Sequence, residues 1–151
     1  MSDFIMLEEI LQAAHKKDTT LSLTLPYDKR QKSRFRALLN TGDEAGVSIE
    51  RGHVLRGGDC LQSRQGHVVQ IISADEQVTT IRCQTAHDLA RAAYHLGNRH
   101  VSLQIGDSWL RYLTDHVLDE MIEGFGLTLI HELAPFEPEV GAYHRHASHS
   151  H

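Results

Sequence analysis

The stretch TAHDLARAAYHLGN, residues 85–98, decides the fold. Thr85 and Asp88 stand at the spacing of a capping box, Leu89, Ala93 and Leu96 share one face, and Gly97 is a natural terminator. This is an amphipathic helix, and its flanks define the architecture. VTTIRC before it and VSLQI after it have the alternation of strands. Beyond a Gly-Asp turn, WLRYL reads as a third strand. Thr114 is then placed to cap a second helix through Val117, Leu118, Met121, Ile122 and Phe125. Gly126 ends that helix, and LTLIHEL is the last strand. The order β-α-β-β-α-β is the split βαβ, or ferredoxin-like, arrangement. Pro135, Pro138 and Gly141 then release the chain into a tail.

Upstream the pattern is β. LSLTLPY alternates Leu21, Leu23 and Leu25 with polar residues and is stopped by Pro26. FRALL places Phe35, Ala37 and Leu39 on one face, and VSIE, DCLQS and HVVQIIS follow as short strands. TGDEAG, RGGD and RQG separate them as turns, a spacing that suits a small sandwich or barrel. Residues 1–17 suit either a strand or a short helix. The basic run between Lys29 and Arg34 is either a docking patch or a solvated loop. The expected class is therefore α+β: a small all-β domain over residues 1–74, a ferredoxin-like βαββαβ domain over 75–138, and a disordered His-rich tail over 139–151. Each domain is near the lower size limit for independent stability, so oligomerisation would help the chain.

Composition narrows the function. A formal charge of −5 over 151 residues excludes a general binder of phosphate backbones, which needs a basic surface. Cys60 and Cys83 form no C-x-x-C pair, so a zinc ribbon or disulfide framework is excluded, and two reduced, buried thiols are expected. The N-terminal MSDFIMLEEI has no basic region and does not read as a secretory signal. No apolar run approaches the ~20 residues of a membrane span. A cytoplasmic protein without nucleic-acid or membrane partners is expected. No G-x-S-x-G, P-loop, H-E-x-x-H or G-x-G-x-x-G motif is present, and the expectation is that the chain is not an enzyme.

The unusual feature is histidine, of which there are 12. Four of them, His144, His146, His149 and His151, stand in the terminal GAYHRHASHSH as two H-x-H pairs. Such a tract has almost nothing apolar to bury, whereas neutral imidazole suits nickel, copper and zinc. A flexible chelator imposes no geometry, so the tract speaks for a metal without saying which. His100 lies just past a helix end and before a strand, where a side chain is firmly held yet exposed. Taken alone, an isolated histidine of this kind is more often a surface residue than a ligand. His116 falls in the first turn of the second helix among Asp115 and Asp119. His53, His67 and His131 read as strand or loop residues with ordinary hydrogen bonds.

Taken together, R-x-K-S-R at 30–34, RGGDCL at 56–61, AAYHLGNRHVSLQI at 92–105, LRYLTDHVLDEMIEGFGLTL, PFEPEVGAY and the histidine-rich end resemble the UreE family of urease accessory proteins over nearly the whole chain. That resemblance implies an N-terminal β-domain similar to the peptide-binding domain of heat-shock co-chaperones, followed by a ferredoxin-like metal-binding domain. It implies a homodimer whose shared nickel site includes His100, with further ligands from the tail. It also implies delivery of Ni(2+) to apo-urease through a complex with the urease accessory GTPase, with Zn(2+) or Cu(2+) as competitors. Some relatives carry a second histidine two residues before the position of His116; here that residue is Thr114, which leaves His116 a peripheral candidate short of one ligand. The rival readings are a general zinc, copper or nickel buffer that uses mainly the tail, an RNA-binding module, and a peptide-binding chaperone. The acidic charge and lack of an aromatic-rich strand tell against RNA.

Overall fold

The computed structural model describes residues 4–12 and 18–140. The chain divides into two compact units that meet in sequence between Ala74 and Asp75. The first contains β1 (Ile5–Ile10), β2 (Leu21–Leu25), a single helical turn α1 (Tyr27–Arg30), β3 (Arg34–Leu38), β4 (Glu44–Ser48), β5 (Cys60–Ser63) and β6 (Val68–Ser73). The N-terminal stretch is a strand where residues 5–10 are concerned; residues 13–17 lie outside the described residues.

The strands form one six-stranded sheet in the order β2-β6-β5-β1-β4-β3 rather than two stacked sheets. Two of its pairings, β1 with β4 and β2 with β6, are parallel. The edge strands meet at Asn40, whose backbone N–H donates to Ser22 O at 3.0 Å. Its side chain accepts from Ser22 N at 2.9 Å and donates to Thr20 O at 2.8 Å. The sheet therefore curls around a core of Leu7, Leu23, Leu61, Val69 and Ile71. Two expectations need correction. The turn before β4 is shorter than TGDEAG, since Glu44, Ala45 and Gly46 are already paired with β3. Nor is the basic stretch a purely solvated loop. Arg30 is fully buried, and its guanidinium donates to Leu25 O and Leu55 O, tying α1 to the core.

The second unit contains β7 (Asp75–Arg82), α2 (Ala86–Asn98), β8 (Gln104–Ile105), β9 (Trp109–Leu113), α3 (His116–Gly124) and β10 (Leu129–Pro135). All pairings are antiparallel in the order β10-β7-β9-β8, the ferredoxin-like topology. Both helices pack on one face, where Ile81, Ala92, Leu96, Leu110, Tyr112, Leu118 and Ile122 form the core. Cys60 and Cys83 are free and buried. Among the described residues, no helix is long and apolar enough to cross a membrane.

Helix ends and the last segment depart from the expected pattern. Thr85 caps α2, accepting from Asp88 N at 3.1 Å, but the helix runs through Gly97 to Asn98. The left-handed residue that turns the chain is His100, at φ 58°. Of VSLQI only Gln104 and Ile105 pair as strand. Asp115 rather than Thr114 caps α3, accepting from Val117 N and Leu118 N, because its carboxylate satisfies both orphan donors. Beyond β10 the chain is not released at Pro135. Residues 136–139 cross the face opposite the helices, with Phe136 and Pro138 buried. Glu139 N donates to Leu103 O at 2.8 Å, beside the far edge strand.

Candidate metal centre

His100 is exposed at the end of α2, its backbone N–H bonded to Gly97 O at 3.0 Å. A non-glycine residue in the left-handed region costs about 1 kcal/mol, and histidine is among the side chains enriched there. Leu96 anchors the helix in the core from below and Leu103 anchors the segment that follows, both buried. The imidazole thus stands on a short, firmly tied loop at the surface.

The strap over residues 136–139 brings the root of the tail to the same place. Its course is set by outward-facing side chains of the sheet. Arg111 Nη1 donates to Pro135 O at 3.4 Å, and Gln104 Oε1 accepts from Glu137 N at 3.0 Å. The Glu139–Leu103 bond then ends the crossing three residues from His100 in sequence. Arg111 is itself fixed by Thr80 Oγ1 at 2.9 Å, by Glu132 Oε2 at 3.3 Å and by the Trp109 ring at 4.6 Å. The Thr80 hydroxyl, with help from Arg111 and Arg82, holds the Glu132 carboxyl below its ordinary range.

His116 opens α3 with an exposed ring, and its nearest acidic partner is Glu120 Oε1 at 3.5 Å. Thr114 is engaged through its hydroxyl with Thr79 at 3.2 Å. His144, His146, His149 and His151 lie outside the described residues. Among the described residues, no three His, Cys, Asp or Glu side chains converge so as to hold a metal ion. The structure therefore brings the root of the tail to within three residues of His100 in sequence.

A polar cluster missed by the sequence reading lies under α3. Asp119 accepts from the Tyr112 hydroxyl, from Thr79 Oγ1 at 3.0 Å and from His131 Nε2 at 2.8 Å. Burial by itself would raise the Asp119 carboxyl, yet these three bonds together hold it below the ordinary carboxylate range. Burial, then the Asp119 bond, pushes the Tyr112 phenol far up, so it stays protonated and donates. This cluster clamps α3 to β7, β9 and β10. The only sequence signal for it is the spacing of Asp115 and Asp119, of which one caps the helix and the other turns inward. His95 packs between Tyr94 and Phe125, with ring centroids at 5.1 and 4.8 Å, and is a packing residue.

Comparison with known proteins gives a consistent result. The family described as the UreE urease accessory protein, N-terminal domain, matches residues 7–74, and its C-terminal domain matches residues 76–151. The chain is 55% identical over 139 residues to the urease accessory protein UreE of Alkalilimnicola ehrlichii, covering 92% of this chain and 84% of the relative. It is 55% identical over 131 residues to the protein of that name from Pseudomonas putida strain GB-1, covering 86% and 79%. Against that of Saccharophagus degradans it is 47% identical over 138 residues, covering 91% and 82%.

Proposed function

From the premise that this chain belongs to the UreE family of urease accessory proteins, and so is an accessory protein rather than an enzyme, we propose that it carries Ni(2+) for assembly of the urease active site. The ion is cargo. It is held at a homodimer interface by His100 of each chain, with His144, His146, His149 and His151 of the tail completing the shell and His116 forming a weaker, peripheral site. A two-fold axis is the economical solution to a chain whose described residues converge no ligand set, because an isologous contact brings each His100 near its own copy. Imidazole ligands without thiolates leave nickel exchangeable, which a donor requires, while zinc and copper compete for the same nitrogens.

The observation that carries this reading is the Glu139–Leu103 hydrogen bond, which roots the histidine tail beside the His100 loop. Docking to the urease accessory GTPase and the apo-urease complex in the cytoplasm completes the role. The test is urease activation in cells carrying His100→Ala. Activation should fall when nickel is scarce and recover in excess nickel. Unchanged activation at limiting nickel would favour the alternative, a buffer that works mainly through the tail.

A further inference from the structure

We propose that the strap over residues 136–139 is a positioning element for His100: it pins the exit of the His100 loop and so holds the imidazole in its left-handed conformation. The inference rests on the reading above that His100 holds the ion. Among the described residues His100 is the only non-glycine residue with a positive φ, at 58°. A side chain in that region persists only where its surroundings over-determine it. On the entry side they do: Arg99 N donates to Leu96 O at 3.1 Å, His100 N donates to Gly97 O at 3.0 Å, and Leu96 is buried. On the exit side, residues 101–103 lie between the turn and β8. Among the described residues, their hydrogen bond outside the strand ladders is Leu103 O accepting from Glu139 N at 2.8 Å. The strap supplies that bond.

The strap is itself tied down at the same place. Gln104, the residue after Leu103, turns its side chain to it, Oε1 accepting from Glu137 N at 3.0 Å. At the other end Arg111 Nη1 donates to Pro135 O at 3.4 Å, and between these ties Phe136 is fully buried. A mere cover for the open face of the sheet accounts for the burial of Phe136 and Pro138. It does not call for two successive residues at the loop exit, Leu103 and Gln104, to bond the strap's backbone. Released from the strap, the loop reverts to its local preference, which disfavours the left-handed region by about fivefold in population for a non-glycine residue. Apparent affinity falls in proportion to the fraction of chains in the competent conformation. The loss is about fivefold for each imidazole, and roughly 25-fold for a site that takes one imidazole from each chain.

The test compares full-length wild type, Glu139→Pro, Glu139→Ala, Gln104→Leu and His100→Ala in two measurements. The first is NMR of the metal-free protein, in which the backbone chemical shifts of residue 100 report the left-handed conformation. The second is calorimetric titration with a nickel salt. Glu139→Pro removes the N–H that Leu103 O accepts from, Glu139→Ala keeps it, and Gln104→Leu removes the strap's neighbouring tie. None of the three touches a proposed ligand. In Glu139→Pro and Gln104→Leu the shifts of His100 should move away from left-handed values, and nickel affinity should fall roughly 5- to 25-fold. Glu139→Ala should match wild type in both measurements. Unchanged His100 shifts in Glu139→Pro and Gln104→Leu overturn the pin. Altered shifts with a nickel affinity within about twofold of wild type also overturn the proposal, because the conformation then does not matter to the metal. A Glu139→Ala protein as weak as Glu139→Pro overturns it by placing the effect in the carboxylate. A His100→Ala protein that titrates like wild type overturns the reading that His100 holds the ion, while the shifts of the strap variants still decide the pin.

Discussion

At the scale of single residues, His100 is in a conformation that glycine adopts more easily, at φ 58°. The fold therefore carries a local cost of about 1 kcal/mol for keeping an imidazole there. His100→Gly should raise the stability of the metal-free protein by about 0.5–1 kcal/mol, seen as a higher thermal midpoint, while removing tight nickel binding. A lower midpoint would show that the ring is a packing element instead. Asp119 has the opposite standing: it is structural. Asp119→Ala leaves the Tyr112 hydroxyl buried without its acceptor and should cost about 2–4 kcal/mol at neutral pH, measured from urea midpoints. The Asp119 carboxyl is held below its unfolded value of about 3.9, so its stabilisation is present above that pH and is lost as pH falls through the lower folded value. The gap between variant and wild type should therefore narrow below about pH 4. A gap of constant size would mean that packing, not the ionised network, accounts for the cost.

At the scale of elements, most strands and both long helices were legible because their periodicities are local. Leu89, Ala93 and Leu96 predict the α2 face; Leu96 is in the core, and Leu89 and Ala93 pack against it partly buried. Where sequence reading failed, the deciding contact was long-range. Nothing near Asn40 announces that it joins β3 to β2, so the sequence left sandwich and barrel open, and a single sheet curled until its edges meet is the barrel-like outcome. Gly97 looks like a helix stop, but the chain runs on past it because the turn is made at His100. Pro135 and Pro138 look like the start of a free tail, and the missed signal was Phe136 between them, an aromatic side chain with no reason to be in solvent. Phe136→Ala should cost about 3 kcal/mol and expose the strap to early hydrogen exchange at Glu137 and Glu139. Unchanged protection at those amides would show that the strap is held without its aromatic anchor.

At the scale of the whole molecule, the identity of the chain was legible from its motifs, and His100 and the tail were legible as histidines. The course of residues 136–139 back to Leu103 was not, because that strap is a tertiary crossing with no periodic signature. Deleting residues 144–151 should leave the thermal midpoint of the metal-free protein unchanged within about 1 °C while fewer ions bind per dimer. A drop of several degrees would mean that the tail packs. Nickel binding should also fall steeply between pH 7.5 and pH 5, since imidazole must be neutral to bind and its unperturbed pKa is about 6.5. Binding unchanged over that range would indicate carboxylate ligands. The proposal that a fixed histidine shared across a dimer holds the delivered ion is tested most directly by titrating His100→Ala with nickel under calorimetry and native mass spectrometry. The substitution removes two ligands per dimer at once. The dimer should persist and the tight site should disappear, a loss well beyond the roughly 10–100-fold of an outer-shell defect, leaving only weak tail binding. A His100→Ala dimer that keeps one tightly bound nickel ion, while the tail deletion loses it, would contradict the account.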